Sequence, residues 1–273
     1  MVKKLFKHEF KAWLRVLPLF WLAMLGVAVA GRVVQFFETE TVYYYLVFGS
    51  AMLAFAGAAF VLLGAPTVFD VYRFYRNLFT GEGYLSFTLP VSPTQHLLVK
   101  LLTAACFQLM TLAVVLLSSL VLIAGDVLIE VLKAAAYLWK ELIPQIPEDV
   151  IPHLIGYVVE YGALILVSVL GSSLMYYSCI CIGQLARKNR VLLAVGVFFG
   201  YQIITQILST GVSLLFMVLS ASGVMEKLVE LMDQHPFATY HVILGGTLLL
   251  AALFAVLYWI ICHRIMSKRL NLE

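Results

Sequence analysis

Charge in this chain is gathered into short runs, and the stretches between them are long. Residues 16–31, 41–69, 101–125, 161–186, 191–225 and 234–263 carry no Lys, Arg, Asp or Glu. A helix needs about 20 apolar residues to cross the hydrocarbon core of a bilayer, and five of these stretches reach that length outright. The first reaches it only if Arg32 is tolerated near the end of a run that continues to Phe37, where a long side chain extends its guanidinium toward the headgroups. The pattern predicts an all-α polytopic membrane protein with transmembrane helices at about 16–37, 42–66, 97–124, 161–185, 191–220 and 237–262, forming a single transmembrane domain over residues 1–273. Composition excludes the alternatives. Apolar residues make up 63% and charged residues 12%, against about a quarter charged in a typical soluble domain. That rules out a water-soluble globule, and disorder, collagen and a disulfide-stapled module need biases that are absent.

Basic loops are retained in the cytoplasm, so the placement of Lys and Arg sets orientation. With six spans, both termini share one side. Fourteen basic residues fall on that side: Lys3, Lys4, Lys7, Lys11, Arg15, Arg73, Arg76, Lys100, Arg187, Lys188, Arg190, Arg264, Lys268 and Arg269. Only Arg32, Lys133, Lys140 and Lys227 fall on the other. Both termini are therefore expected in the cytoplasm. The net charge of +3 hides a dipole across the membrane, and no nucleic-acid partner is expected.

Residues 1–15 read as an amphipathic helix at the inner leaflet, an elbow ahead of the first span. Leu5, Phe6, Phe10, Trp13 and Leu14 form an apolar stripe, and Lys3, Lys4, Lys7, Lys11 and Arg15 supply the basic face that anionic headgroups attract. Ala28-Val29-Ala30 before Gly31 matches a signal-peptidase pattern. The long amphipathic lead-in and the apolar run onward through Val33, Val34, Phe36 and Phe37 favour a retained helix. The cysteines at 106, 179, 181 and 262 lie inside predicted spans and act as small apolar residues. Cys179 and Cys181 are two apart on a helix and diverge by about 200°, so they do not form a metal pair.

The second span holds Gly49, Ser50, Ala54, Gly57, Ala58 and Gly64, small residues that let helices approach closely in lipid, within the chain or between chains. Pro66 should end or kink it. Residues 69–95 form a cytoplasmic segment. Asp70 to Phe79 is amphipathic, Thr80-Gly81-Glu82-Gly83 breaks it, and Pro90 closes a short element after Tyr84. Ser92-Pro93-Thr94-Gln95 is a capping box with Pro at the first helical position, which starts the third span. On the opposite side, 126–152 and 222–236 read as short extracellular amphipathic pieces, the former ended by Pro144, Pro147 and Pro152.

No Gly-rich phosphate loop, zinc motif or nucleophile elbow occurs, so the chain is not expected to be an enzyme, to hold a metal, or to bind ATP itself. Glu160 is the acid nearest the membrane interior, but the charge-free residues after it suffice to cross, which places it at the interface. His96, His241 and His263 flank spans. Gln202, Thr205, Gln206, Ser209 and Ser213 lie along one face of the fifth span. Such a stripe faces other helices or a watery path, as interhelical glue or as a substrate-facing wall.

At residues 82–102 the chain reads Glu-Gly-Tyr-Leu-Ser-Phe-Thr-Leu-Pro-Val-Ser-Pro-Thr-Gln-His-Leu-Leu-Val-Lys-Leu-Leu. This resembles the membrane permease subunits of type-2 ATP-binding-cassette (ABC) exporters of the Gram-positive bacterial type. There an acidic residue and Gly precede a short helix, and a Leu-x-x-Pro-Val-Ser-like turn leads into a span opening with a Lys. The matching positions are Glu82, Gly83, Leu85, Leu89, Pro90, Val91, Ser92 and Lys100, while Tyr84 and Ser86 stand where the family often has Thr and Glu. The elbow helix, six spans and cytoplasmic termini fit the same family. The resemblance implies a coupling loop that touches a separate ATPase subunit, with Asp70, Arg73, Arg76, Gly81, Glu82, Gly83, Tyr84, Leu85, Leu89 and Pro90 as its contact candidates. It also implies ATP and Mg on that partner, a second permease copy or a sister permease alongside, a bacterial cell membrane, and a peptide, antibiotic or amphipathic small molecule as cargo. The competing readings are a secondary carrier driven by an ion gradient, which would want buried ionisable residues or broken helices near the midplane, where this chain has no charge, and a non-transporting membrane scaffold.

Overall fold

The structure, a computed structural model, describes residues 2–80, 83, 91–186 and 188–268. The chain is 89% helical, with no strand among the described residues. In order, the helices are α1 (Val2–Trp13), α2 (Leu17–Gln35), α3 (Val42–Phe79), α4 (Pro93–Leu122), α5 (Asp126–Tyr137), α6 (Ile151–Gly183), α7 (Arg190–Ala221), α8 (Val224–Gln234) and α9 (Pro236–Lys268). Six helical segments are long and apolar enough to cross a membrane, the first combining α1 with α2. The chain is a multi-pass membrane protein. Helices are the form this composition requires, because hydrocarbon offers no partner for a free N–H or C=O and a helix satisfies both internally.

Several boundaries differ from the sequence expectation. Pro66 does not end the helix of the second span, since α3 runs through it to Phe79. A proline inside a helix loses one hydrogen bond and crowds the preceding turn, at a cost of about 3 kcal/mol in a soluble helix. Here the ring is fully buried and the amphipathic stretch beyond it carries Phe74 and Leu78, also fully buried, so helical packing continues on both sides of the proline. Residues 69–79, assigned to the loop after the second span, are thus the last turns of α3. Likewise Pro152 does not terminate a preceding piece but sits in the first turn of α6, where a missing N–H costs nothing. The start of α4 is as expected: the Ser92 hydroxyl accepts from the Gln95 N–H at 3.3 Å, and the Gln95 side chain accepts from the Ser92 N–H at 3.1 Å. Between α5 and α6 the chain widens into a π turn at Leu138–Leu142 and then tightens into a 3-10 turn at Ile143–Gln145.

The chain divides into two compact units. One takes in α1, α2, α3 as far as Arg76, α4 and α5; the other takes in α6 to α9 with the end of α3 from Asn77. In the first, α2 and α4 run parallel. Trp21 Nε1 donates to Thr111 Oγ1 at 3.0 Å, and ten residues further along α2 a Cβ on Gly31 would lie 2.7 Å from Leu122 Cδ1. Gly31 is the close approach that lets these helices meet. Arg32 turns toward the end of α2, donating to Gln35 Oε1 at 2.6 Å and lying over the Phe36 ring, while a Cβ on Gly125 would collide with its guanidinium. In the second unit α6 and α9 are the parallel pair, with a Cβ on Gly171 in ordinary contact with Ala255 and Cys262 beside the Leu174 carbonyl. The turn from α6 into α7 needs Gly183, where a Cβ would lie 2.8 Å from the Arg190 carbonyl oxygen. Parallel pairing of alternate spans is what a chain threading back and forth across a bilayer must produce.

Candidate functional site

α1 is more than a surface anchor. Its apolar stripe packs into the first unit, where Trp13, Leu17, Ala104 and Phe107 form a buried cluster with Phe10, Trp21, Ala65 and Phe69 against it. Phe107 is the hub. Its ring lies 4.8 Å from Phe10, 5.1 Å from Trp13 and 6.0 Å from Trp21, centroid to centroid. Trp13 also meets Phe69 edge-on at 5.0 Å. These aromatic contacts set α1 across α3 and α4.

An ionic clamp completes the docking. Glu9, three residues before Ala12 and four before Trp13, lies on the packed face and is 5% exposed. Arg73 on α3 donates to Glu9 Oε2 from Nη2 at 2.7 Å and from Nε at 3.1 Å, and Lys100 on α4 donates to Oε1 at 3.0 Å. Each carboxylate oxygen therefore has its own cation. Burial pushes the Glu9 carboxyl up, but Lys100 and Arg73, through their charges and hydrogen bonds, outweigh it and hold the group below the ordinary carboxylate value. Asp70, 3% exposed, adds a second carboxylate whose field reaches Lys100. Among the described residues the cluster holds two acids, Glu9 and Asp70, and two bases, Arg73 and Lys100. It contains no nucleophile or acid-base pair open to a substrate; what it can do is mechanical, tying α1 to the end of α3 and the beginning of α4.

Those are the helix ends that flank the predicted coupling segment. Of its candidates, Asp70 and Arg73 are engaged inside the first unit. Arg76 is exposed, with its guanidinium over the Tyr72 ring and Nη1 donating to the Tyr72 hydroxyl at 3.1 Å. Gly83 is buried and its N–H donates to the Thr80 carbonyl at 2.7 Å. Gly81, Glu82, Tyr84, Leu85, Leu89 and Pro90 lie outside the described residues.

The polar stripe of the fifth span falls on α7. Gln202, Thr205, Gln206, Ser209 and Ser213 are all exposed. The hydroxyls satisfy themselves along the helix: Thr205 donates to the Gln202 carbonyl at 2.9 Å, Ser209 to that of Gln206 at 3.0 Å, and Ser213 to that of Ser209 at 2.9 Å. The amides of Gln202 and Gln206 are left as the polar groups the stripe offers outward. Within the second unit no helix covers it, since from Gln202 to Val218 every residue of α7 is exposed. The small residues of the second span are similar: a Cβ on Gly49, Gly57 or Gly64 would meet nothing within 4 Å.

Glu9 is the residue that sequence reasoning missed. The available signal was a lone acid in a basic helix, placed on the Phe6 and Trp13 face by its spacing. No protein-family model, curated protein or solved structure matches the chain.

Proposed function

We propose that the chain is the permease subunit of an ABC exporter, embedded in a bacterial cell membrane with both termini in the cytoplasm. Two copies, or one copy and a sister permease, form the pathway, and separate ATPase subunits carrying ATP and Mg drive it. The reading rests on the residues at 82–102 and on the distribution of Lys and Arg. The observation that best supports a mechanical role is the Glu9 clamp. It fastens α1 to the two helices that lead into and out of the coupling segment, so a push on that segment moves α1, α3 and α4 together. Glu82, the acid of the segment, is the ionic contact for a basic groove on the ATPase, and Gln202 and Gln206 face the cargo.

Purification of the full chain in mild detergent tests this. An ATP-hydrolysing subunit is expected in stoichiometric amount, and Glu82→Lys is expected to weaken its retention and abolish transport while membrane insertion stays normal. Transport by the chain alone in proteoliposomes under an ion gradient would replace this reading with that of a secondary carrier.

A further inference from the structure

The first turns of α6 and α9 lie side by side and bring together three side chains far apart in sequence. His153 Nδ1 lies 3.0 Å from His241 Nε2, and His241 Nδ1 lies 2.7 Å from Glu160 Oε1. Glu160, as a carboxylate, can only accept at that contact, so the proton of neutral His241 sits on Nδ1 and its Nε2 keeps a lone pair on the side of His153. Both rings are held. His153 stacks on Phe237 with centroids 4.7 Å apart and planes 5° apart, and His241 lies 4.5 Å from the Tyr157 ring. The Tyr157 hydroxyl donates to the Phe237 carbonyl at 3.2 Å, tying the same two helices. Gly156 provides the room, since a Cβ there would lie 2.8 Å from His241 Cε1.

We propose that His153 Nδ1 and His241 Nε2 bind a divalent transition-metal cation of the zinc or copper type. With metal–nitrogen bonds of about 2.0–2.1 Å, neighbouring nitrogens stand about 2.9 Å apart in a tetragonal site and about 3.3 Å apart in a tetrahedral one. The observed 3.0 Å falls between. Glu160 takes the part of the carboxylate that orients a ligating imidazole through its other nitrogen. The chain itself leaves the site open, because the His241 and Glu160 side chains are each 27% exposed, and Glu160 falls where the sequence places the membrane interface. Water fills the remaining positions, as no group of three or more His, Cys, Asp or Glu among the described residues converges on a metal. Binding moves the His153 proton from Nδ1 to Nε2 through water, with no net proton gained or lost from the neutral rings. The bound cation then joins α6 to α9. This inference stands apart from the exporter reading.

The test is titration of the intact, untagged protein in detergent with Cu2+, read by electron paramagnetic resonance, with Zn2+ as competitor. Saturable binding with two imidazole nitrogens is expected, displaced by Zn2+, lost in His153→Gln and His241→Gln, and weakened about 10–100-fold in Glu160→Gln. Zn2+ should also shield His153 and His241 of the wild-type protein from diethyl pyrocarbonate, a readout that does not depend on any variant folding. Absence of the two-nitrogen signal, its survival in both histidine variants, or unshielded modification of His153 and His241 overturns the proposal. So does modification that follows pH alone without a copper signal, which would make the pair a shared-proton clasp.

Discussion

Each unit is laced by a polar cluster, and the two clusters differ in what surrounds them. Glu9, Arg73 and Lys100 are largely covered by the chain, with side-chain exposures of 6%, 17% and 6%, and Arg73 lies over the Phe69 ring. His153, His241 and Glu160 stand at the mouth of a helix pair and stay in reach of solvent. Charges fixed in a dry site cannot be exchanged for water cheaply, so the first cluster is a permanent fastening. Imidazoles near water can trade a proton or a metal without leaving their helices, so the second is an adjustable one. Burial, more than the number of contacts, decides which kind of joint a polar cluster makes.

The strongest way to break this contrast is Glu9→Ala. It strands two cations in a buried site and should cost about 3–5 kcal/mol, seen as a lower thermal midpoint and protease access to α1. His241→Ala removes hydrogen bonds that solvent replaces in part, and a loss of about 1 kcal/mol is expected on the same assay. Equal losses from the two variants would erase the distinction.

Acidification sharpens it further. Because the folded Glu9 carboxyl titrates below its ordinary value of 4.5, the unfolded state binds the proton first. The clamp's contribution is complete above that value and drains away as pH falls through the lower folded one. Glu9→Gln should flatten this acid limb in a pH series of thermal midpoints. The smallest stability effect belongs to the exposed stripe. Gln206→Leu should change the midpoint by no more than about 0.5 kcal/mol, yet lower transport if the stripe faces cargo.

The spans were legible because the cost of a charge in hydrocarbon is local: each window reports on itself without knowledge of its neighbours. The capping box at Ser92 was legible for the same reason. Pro66 was not, because whether a helix survives a proline depends on what packs around it, and its burial is set by distant residues. The clamp and the histidine pair were invisible for a related reason. Glu9 meets partners 64 and 91 residues away, and His153 and His241 are separated by 88. The stripe on α7 lies between these cases, since its face follows from helical spacing, but only the fold reveals that no other helix of its own unit covers it.

The parallel pairing of α2 with α4 sets a timetable for biosynthesis. Trp21 leaves the ribosome 90 residues before Thr111, an interval of about 5–18 s at ordinary elongation rates. During that interval α3 must be threaded through the bilayer while α2 has no permanent neighbour. Residues 153 and 241 face the same wait in the second half of the chain. The nascent protein therefore spends much of its synthesis with each early helix awaiting the second one after it, and a translocon or insertase that shelters single helices would be needed at those two moments above all.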